Sequence, residues 1–324
     1  MIEVRSLPPL ATVQDLGRDG YWAQGLGRAG AMDPVSHRLA NLLLGNDVTA
    51  ATLEIPMTPG QLRFGARMAF ALTGAACGAM LDSRPLPRIF AGIAEAGQTL
   101  ALGPMQSGAR VYLALTGGID VPMVLGSRST QLREGFGGFA GRVLRPGDTL
   151  QPASDRLPCL PANGLSLTSP TFPLPAGTIK LRALRAAEYD EFTPAAQAAF
   201  WSGAYQITPQ SNRQGYRLEG ADLSRTSSQE LRSHGIVPGI VQVPNGGQPI
   251  IQLADSATMG GYPKIAAVIE ADLWRLGQAR PGDRLHFVET DARGAADAER
   301  ELSETMATVE KQLADVTAQH LAWS

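Results

Sequence analysis

Glycine and proline interrupt this chain at short intervals, and that punctuation limits what it can fold into. Of 324 residues, 36 are glycine and 23 are proline. A glycine inside a helix costs about 1 kcal/mol relative to alanine and a proline about 3, so long helices are disfavoured over most of the sequence. Short apolar runs between turn residues predict a mainly β protein with a few helices. The length suits two ordinary domains, each with its own core.

The rest of the composition narrows the class. With 44% apolar and 18% charged residues, the chain is globular rather than disordered. Its uncharged stretch from Met68 to Leu81 is broken by Gly74 and Gly78 and is too short to span a bilayer. The opening "MIEVRSLPPLATVQD" lacks the apolar core of a signal peptide. Cys77 and Cys159 are far apart with no CxxC, so a cytoplasmic location is expected. A net charge of −2 supplies no field to attract nucleic acid. Arginine outnumbers lysine 25 to 3, which makes the position of each lysine informative.

Local patterns mark the elements. In "DPVSHRLANLLLG", Asp33 is placed to N-cap a helix with Pro34 in its first turn and Gly45 after its end. "ARVYLALTGG" alternates as a strand, and "GRVLRPGDTL" ends the first half on a turn. Residues 151–178 are rich in proline, serine and leucine. We expect one domain over 1–153, a linker over 154–178, a second domain over 179–290 and an amphipathic helical tail over 291–324. In the second domain "TIKLRAL" predicts a strand, and Thr193, Pro194 and Gly203 frame a helix. Ser227 and Glu230 form a capping box. "GIVQVP" and "QPIIQLAD" predict paired strands around the turn Asn245–Gly247. "KIAAVIEADLWRLG" predicts a helix beginning at Lys264, with Ile265, Val268, Ile269, Leu273 and Leu276 inward.

"RPGDTL" and "RPGDRL" close the two halves alike, a hint of duplicated architecture. In the tail, Leu302, Met306, Val309, Leu313, Val316, His320 and Trp323 make a heptad stripe. Self-association and packing onto the chain's own domain suit that stripe equally well.

Several chemistries are excluded by motif. The sequence has no GxxxxGK[ST], no HExxH, no paired Cys/His spacing and no GxSxG. No Met-Lys-Met segment is present, so the chain carries no covalently bound biotin. Three stretches have the right residue types for a site. "PQSNRQGYRLEG" sets Arg213 and Arg217 four apart, suited to a carboxylate or phosphate if extended, or simply to a hairpin with solvated arginines. "PMVLGSRST" ends in polar donors that either bind a ligand or cap a neighbouring element. "ADSATMGGYPKIA" places Asp255 at the end of a strand and Lys264 behind Gly260-Gly261, in either an anion site or a plain strand–loop–helix joint.

Taken in order, "TVQDLGRDG", "GAMD", "ANLLLGN", "YLALTGGIDVP", "GSRST", "GGFAGRVLRPGD", "SNRQGYRLEG", "HGIVPGIVQVPNGGQPI" and "ATMGGYPKIAAVIEADL" resemble one family over about residues 2–288. This is the subunit-2 family of allophanate hydrolase, also called the biotin-dependent carboxyltransferase family, which includes the C subunit of 5-oxoprolinase. From "EYDEF" onward the second half looks closest to the 5-oxoprolinase branch. Where the family pattern leads us to expect other residues, this chain has Ala186-Ala187 and Ser256-Ala257.

The resemblance implies two tandem cyclophilin-like β-barrel domains. It also implies two partners, the B subunit of 5-oxoprolinase (a homologue of allophanate hydrolase subunit 1) and its A subunit. Together these would open the lactam of 5-oxo-L-proline to L-glutamate using ATP and Mg²⁺, at a site shared with the B subunit. Lys264, Arg213 and Arg217 would then meet phosphate or carboxylate, and Asp255 would hold a metal or orient a cation. Arg128 and Ser129 would bind substrate across the domain cleft, and Asn212, Gln242, Gly260, Gly261 and Tyr262 would line the site. The family also implies two alternatives: carboxyl transfer from biotin carried on another chain, and non-catalytic binding of a subunit-1 homologue.

Overall fold

The computed structural model describes residues 1–167, 172–227 and 231–323, the last seven of these by backbone alone. It is mainly β, with four α-helices among the described residues, and divides into two compact units. The first comprises Met1–Arg18, Ala29–Leu174 and the chain from Glu304; the second comprises Asp19–Arg28 and Pro175–Ser303. Residues 154–174, expected as linker, thus belong to the first unit, where Leu165–Ser166 pairs with Phe90–Ala94.

In the first unit two six-stranded antiparallel sheets face each other. One runs in the order Thr149–Leu150, Ile2–Ser6, Gly60–Phe64, Thr99–Leu102, Met80–Leu81, Arg84–Pro85. The other runs Leu165–Ser166, Phe90–Ala94, Met68–Ala76, Ser107–Leu115, Thr52–Pro56, Thr12–Gln14. Alternation builds the core: Leu62 and Phe64 point inward while Gln61 and Arg63 are exposed. They meet Leu53, Ile55, Phe70 and Leu113 of the facing sheet, with the rings of Phe64 and Phe70 5.1 Å apart. Helix α1 (Pro34–Leu44) packs on Met68–Ala76 and Ser107–Leu115, so those strands are buried on both faces. Asp33 caps α1 by accepting from the Ser36 amide at 2.9 Å, and Gly45 ends it in the left-handed conformation.

The second unit is a closed seven-stranded barrel. Its order is Thr178–Arg185, Lys264–Val268, Ile240–Gln242, Ile250–Gln252, Gly215–Glu219, Ala204–Ile207, Arg284–Glu289. The ring closes where Thr178–Arg185 pairs in parallel with Arg284–Glu289. Leu181, Tyr205, Val241, Ile251, Leu285 and Phe287 are buried. Helix α2 (Pro194–Ser202) stacks Phe200 on Phe287 at 4.5 Å. Thr193 caps it, and the paired strands around Asn245–Gly247 form as predicted.

Three local expectations need correction. Lys264–Val268 is a strand, not the start of a helix; α3 begins only at Glu270 and runs to Gly277. A continuous apolar run fits a buried strand or a buried helix equally, and ladders on both sides, to Ile240–Gln242 and to Thr178–Arg185, decide it. Asp255 lies in a turn three residues past the end of Ile250–Gln252. Arg213 and Arg217 do not share a face, because Arg213 precedes its strand and is buried while Arg217 sits within it and is exposed. The capping box expected from Ser227 to Glu230 falls largely outside the described residues.

The two "RPGD" turns are closed the same way. The Asp148 carboxylate accepts from the Arg145 amide at 2.7 Å, and the Asp283 carboxylate from the Arg280 amide at 2.8 Å. Each turn leads into a strand. The tail is one helix, α4 (Ala292–Trp323). Along its stripe Val309 and Leu313 are buried by the chain itself, Leu302 and Met306 are half-buried, and Val316 is exposed. No helix among the described residues is long and apolar enough to cross a membrane.

Candidate functional site

At one end of the barrel the chain gathers a lysine, a glutamate and a histidine from three separate segments. Lys264 opens its strand and is only 4% exposed. Its amide donates to Glu188 Oε2 at 3.0 Å, and its Nζ lies 3.4 Å from the same oxygen. Glu188 stands in the turn that comes after Thr178–Arg185. The third member, His234, comes from a two-rung ribbon in which His234–Gly235 pairs with Met259–Gly260. His234 Nε2 contacts Lys264 Nζ and lies 3.4 Å from Glu188 Oε1.

The hydrogen bond on the far side of the imidazole sets its tautomer. His234 Nδ1 lies 2.9 Å from the carbonyl oxygen of Arg232. A carbonyl only accepts, so Nδ1 carries a proton and Nε2 of the neutral ring presents a lone pair toward Lys264. The ammonium therefore donates to a carboxylate oxygen and to an imidazole nitrogen. An ammonium has three hydrogens; two are so engaged among the described residues.

The ribbon is held close by glycine. A β-carbon on Gly260 would stand 2.5 Å from Gln242 Nε2, so any side chain there would force the Gln242 amide to shift. Gln242 is the register partner of Lys264. Its amide nitrogen donates to the Tyr262 carbonyl at 3.3 Å, and its oxygen accepts from Gln252 at 2.9 Å. Tyr262 itself is largely exposed, as are Met259 and Val237 around it.

Arg213 and Asp255 form a second, separate ionic group. Arg213 Nε and Nη2 donate to the two Asp255 oxygens at 2.8 and 2.9 Å, and both residues are buried. The Asp255 amide also donates to the Arg213 carbonyl at 3.0 Å. Asp255 thus orients a cation, and the cation is a neighbouring side chain. From Lys264 the barrel wall reaches Gly215 in three strand steps, roughly 14 Å at the usual spacing. Among the described residues no side-chain hydrogen bond or ion pair is shown joining the two groups.

The remaining expected residues are dispersed. Asn212 makes an exposed turn by accepting from the Gln214 amide at 2.8 Å. Arg217 is exposed. Gly261 packs against the Leu231 carbonyl. Arg128 and Ser129 belong to the first unit, where Asp15 is the hub: it accepts from Ser127 Oγ, Ser129 Oγ and the Arg128 amide. Ser129 is fully buried in this arrangement, which pins the loop. The sequence-based set brought Lys264, Gln242, Gly260 and Tyr262 to one place and missed Glu188 and His234. His234 is one of four histidines with no local partner in sequence. Glu188 lies 76 residues from Lys264, so only the barrel makes them neighbours.

Comparison with known proteins agrees with this architecture. A family model described as carboxyltransferase domain, subdomain A and B, matches residues 24–289. The chain is 44% identical over 301 residues to the C subunit of 5-oxoprolinase from Escherichia coli, covering 93% of this chain and 95% of that protein. It is 39% identical over 296 residues to the C subunit of the Haemophilus influenzae 5-oxoprolinase, covering 91% and 93%. The crystal structure of the Kluyveromyces lactis urea amidolyase superposes with a TM-score of 0.84 at 29% identity, over 94% of this chain and 20% of that one. The two β units, the shared motifs and these matches together place the chain in the family of carboxyltransferase domains with subdomains A and B, alongside the C subunits of 5-oxoprolinase.

Proposed function

We propose that this chain is the C subunit of an ATP-dependent 5-oxoprolinase, a complex that opens the lactam of 5-oxo-L-proline to give L-glutamate. The observation that carries this is identity: the chain is 44% identical to the E. coli C subunit over 95% of that protein, against 34% to the urea amidolyase of Saccharomyces cerevisiae. The A and B subunits of the enzyme are the partners, the substrate is a small cyclic amide, and both cysteines are free, which suits the cytoplasm.

A lactam carbonyl is a poor electrophile, and ATP with Mg²⁺ supplies the driving force for opening it in such a complex. Among the described residues, the two buried cations expected to meet phosphate do not offer Mg·ATP a good fit. Arg213 is held by Asp255, and Lys264 is held by Glu188. A polyphosphate approaching either cation meets a carboxylate already in place. Among the described residues no group of three His, Cys, Asp or Glu side chains is arranged to hold a metal. On this reading the partner subunits handle the nucleotide. Coexpression with the A and B subunits, followed by measurement of ATP consumption and glutamate release with and without 5-oxoproline, tests the proposal. ATP turnover that does not respond to 5-oxoproline overturns it.

Carboxyl transfer is the second reading, favoured by the description of the family model and by the K. lactis match. It requires biotin on another chain. Incorporation of labelled bicarbonate into urea or another amide, in the presence of a biotin carrier, would select it.

A further inference from the structure

We infer that His234 and Glu188 link the buried amine of Lys264 to solvent as a proton relay, so that Lys264 is the proton donor to the ring nitrogen when the lactam opens. This rests on the proposed 5-oxoprolinase activity and adds what this chain does within it.

The need comes from the chemistry of the bond. After water adds to the lactam carbonyl, the adduct collapses by breaking the C–N bond, and the electron pair goes to nitrogen. That nitrogen must take a proton as it leaves, because an amide anion is far too basic to depart. Lys264 Nζ–H supplies the proton and keeps its lone pair as a neutral amine. His234 is neutral at rest, with its Nε2 lone pair toward Lys264 and its side chain 42% exposed; it takes a proton from solvent at Nε2 and passes it to the amine. Each transfer moves one proton, and the cluster returns to its starting charge.

The geometry matches these roles. Two of the three Lys264 ammonium hydrogens face Glu188 Oε2 and His234 Nε2, and the third is left for the substrate. Glu188 reaches both partners, Lys264 Nζ through Oε2 and His234 Nε2 through Oε1, each at 3.4 Å. It balances the charge wherever the proton sits. The Nδ1 contact with the Arg232 carbonyl keeps Nε2, and not Nδ1, directed at Lys264. Among the described residues the ionisable side chains that face His234 are Lys264 and Glu188; its ribbon partners are Met259 and Gly260. His234, which contacts the amine, sits on a ribbon of only two residue pairs.

Two measurements separate the relay from the activity on which it rests. In the isolated chain, the His234 ring is titrated by NMR. Removing the neighbouring positive charge in Lys264→Met raises its midpoint, and removing the negative charge in Glu188→Gln lowers it, each by about half a pH unit or more. An unmoved midpoint in both variants overturns the relay whatever the activity proves to be. In the complex with the A and B subunits, Lys264→Arg keeps the charge but holds its protons too tightly to donate one, and kcat falls by about 10²- to 10⁴-fold. His234→Ala loses the acidic limb of the kcat–pH profile and recovers activity with added imidazole. Full activity in Lys264→Arg marks Lys264 as a fixed charge and also overturns the relay. A wild-type complex that ignores 5-oxoproline sinks the functional proposal instead, and leaves the NMR result to judge the cluster.

Discussion

Acid should weaken the first unit through one histidine. His37 lies on α1, fully buried, with its Nδ1 2.9 Å from Thr52 Oγ1. Burial drives its pKa from 6.5 down to about 4, against the opposing attraction of Asp15 and Glu54. Above pH 6.5 the ring is neutral in both folded and unfolded chains, so it leaves stability unchanged. Below that, the unfolded chain binds a proton that the folded one refuses, and stability falls until about pH 4. The span of about 2.5 units corresponds to about 3 kcal/mol at 1.36 kcal/mol per unit, most of it lost by pH 4.5. His37→Gln retains a hydrogen-bonding side chain but cannot titrate. Urea unfolding of wild type and variant at pH 7 and pH 4.5 measures the effect, with hydrogen exchange across Thr52–Pro56 locating it. The wild type should be the more stable at pH 7, and its advantage should shrink by about 2 kcal/mol at pH 4.5. An advantage independent of pH refutes the reasoning.

Other outcomes depend on single contacts. Asp255→Ala leaves Arg213 buried without its carboxylate and should cost about 3–5 kcal/mol in urea unfolding, whereas replacing both by apolar residues of similar size should cost much less. Gly138→Ala drives a β-carbon into Thr130 Oγ1 at a φ of +52°, and should destabilise by about 2 kcal/mol or more in a thermal melt. Ser256 Oγ is buried with no hydrogen-bond partner among the described residues, so Ser256→Ala should be neutral or stabilising by up to about 1 kcal/mol. Arg217 is exposed on its strand; Arg217→Ala should change stability by no more than about 0.5 kcal/mol and leave turnover of the complex intact. A large loss of turnover would give Arg217 a binding role.

What the sequence determined by itself was whatever depends on neighbours along the chain. Asp33 and Thr193 as helix caps, Gly45 as a helix stop, the hairpin around Asn245–Gly247 and the paired "RPGD" turns all arise from groups within a few residues of one another. The motif order carried the family, and the family carried the two β units. The character of Lys264–Val268 was not local. Its apolar run satisfies a strand and a helix alike, and two flanking ladders made the choice. The heptad stripe was legible, but the burial of Val309 and Leu313 within the chain was not.

The site was the least legible part, for the same reason. Charge and spacing singled out Arg213 and Lys264 as cations for a ligand. The fold gave each a carboxylate partner, Asp255 at a separation of 42 residues and Glu188 at 76, and buried Arg213, Asp255 and Lys264 while leaving Glu188 half-buried. Whether a cation can bind a ligand depends on what the closed barrel brings against it. A pattern along one strand cannot report that, since its partners arrive on other strands and turns of the ring.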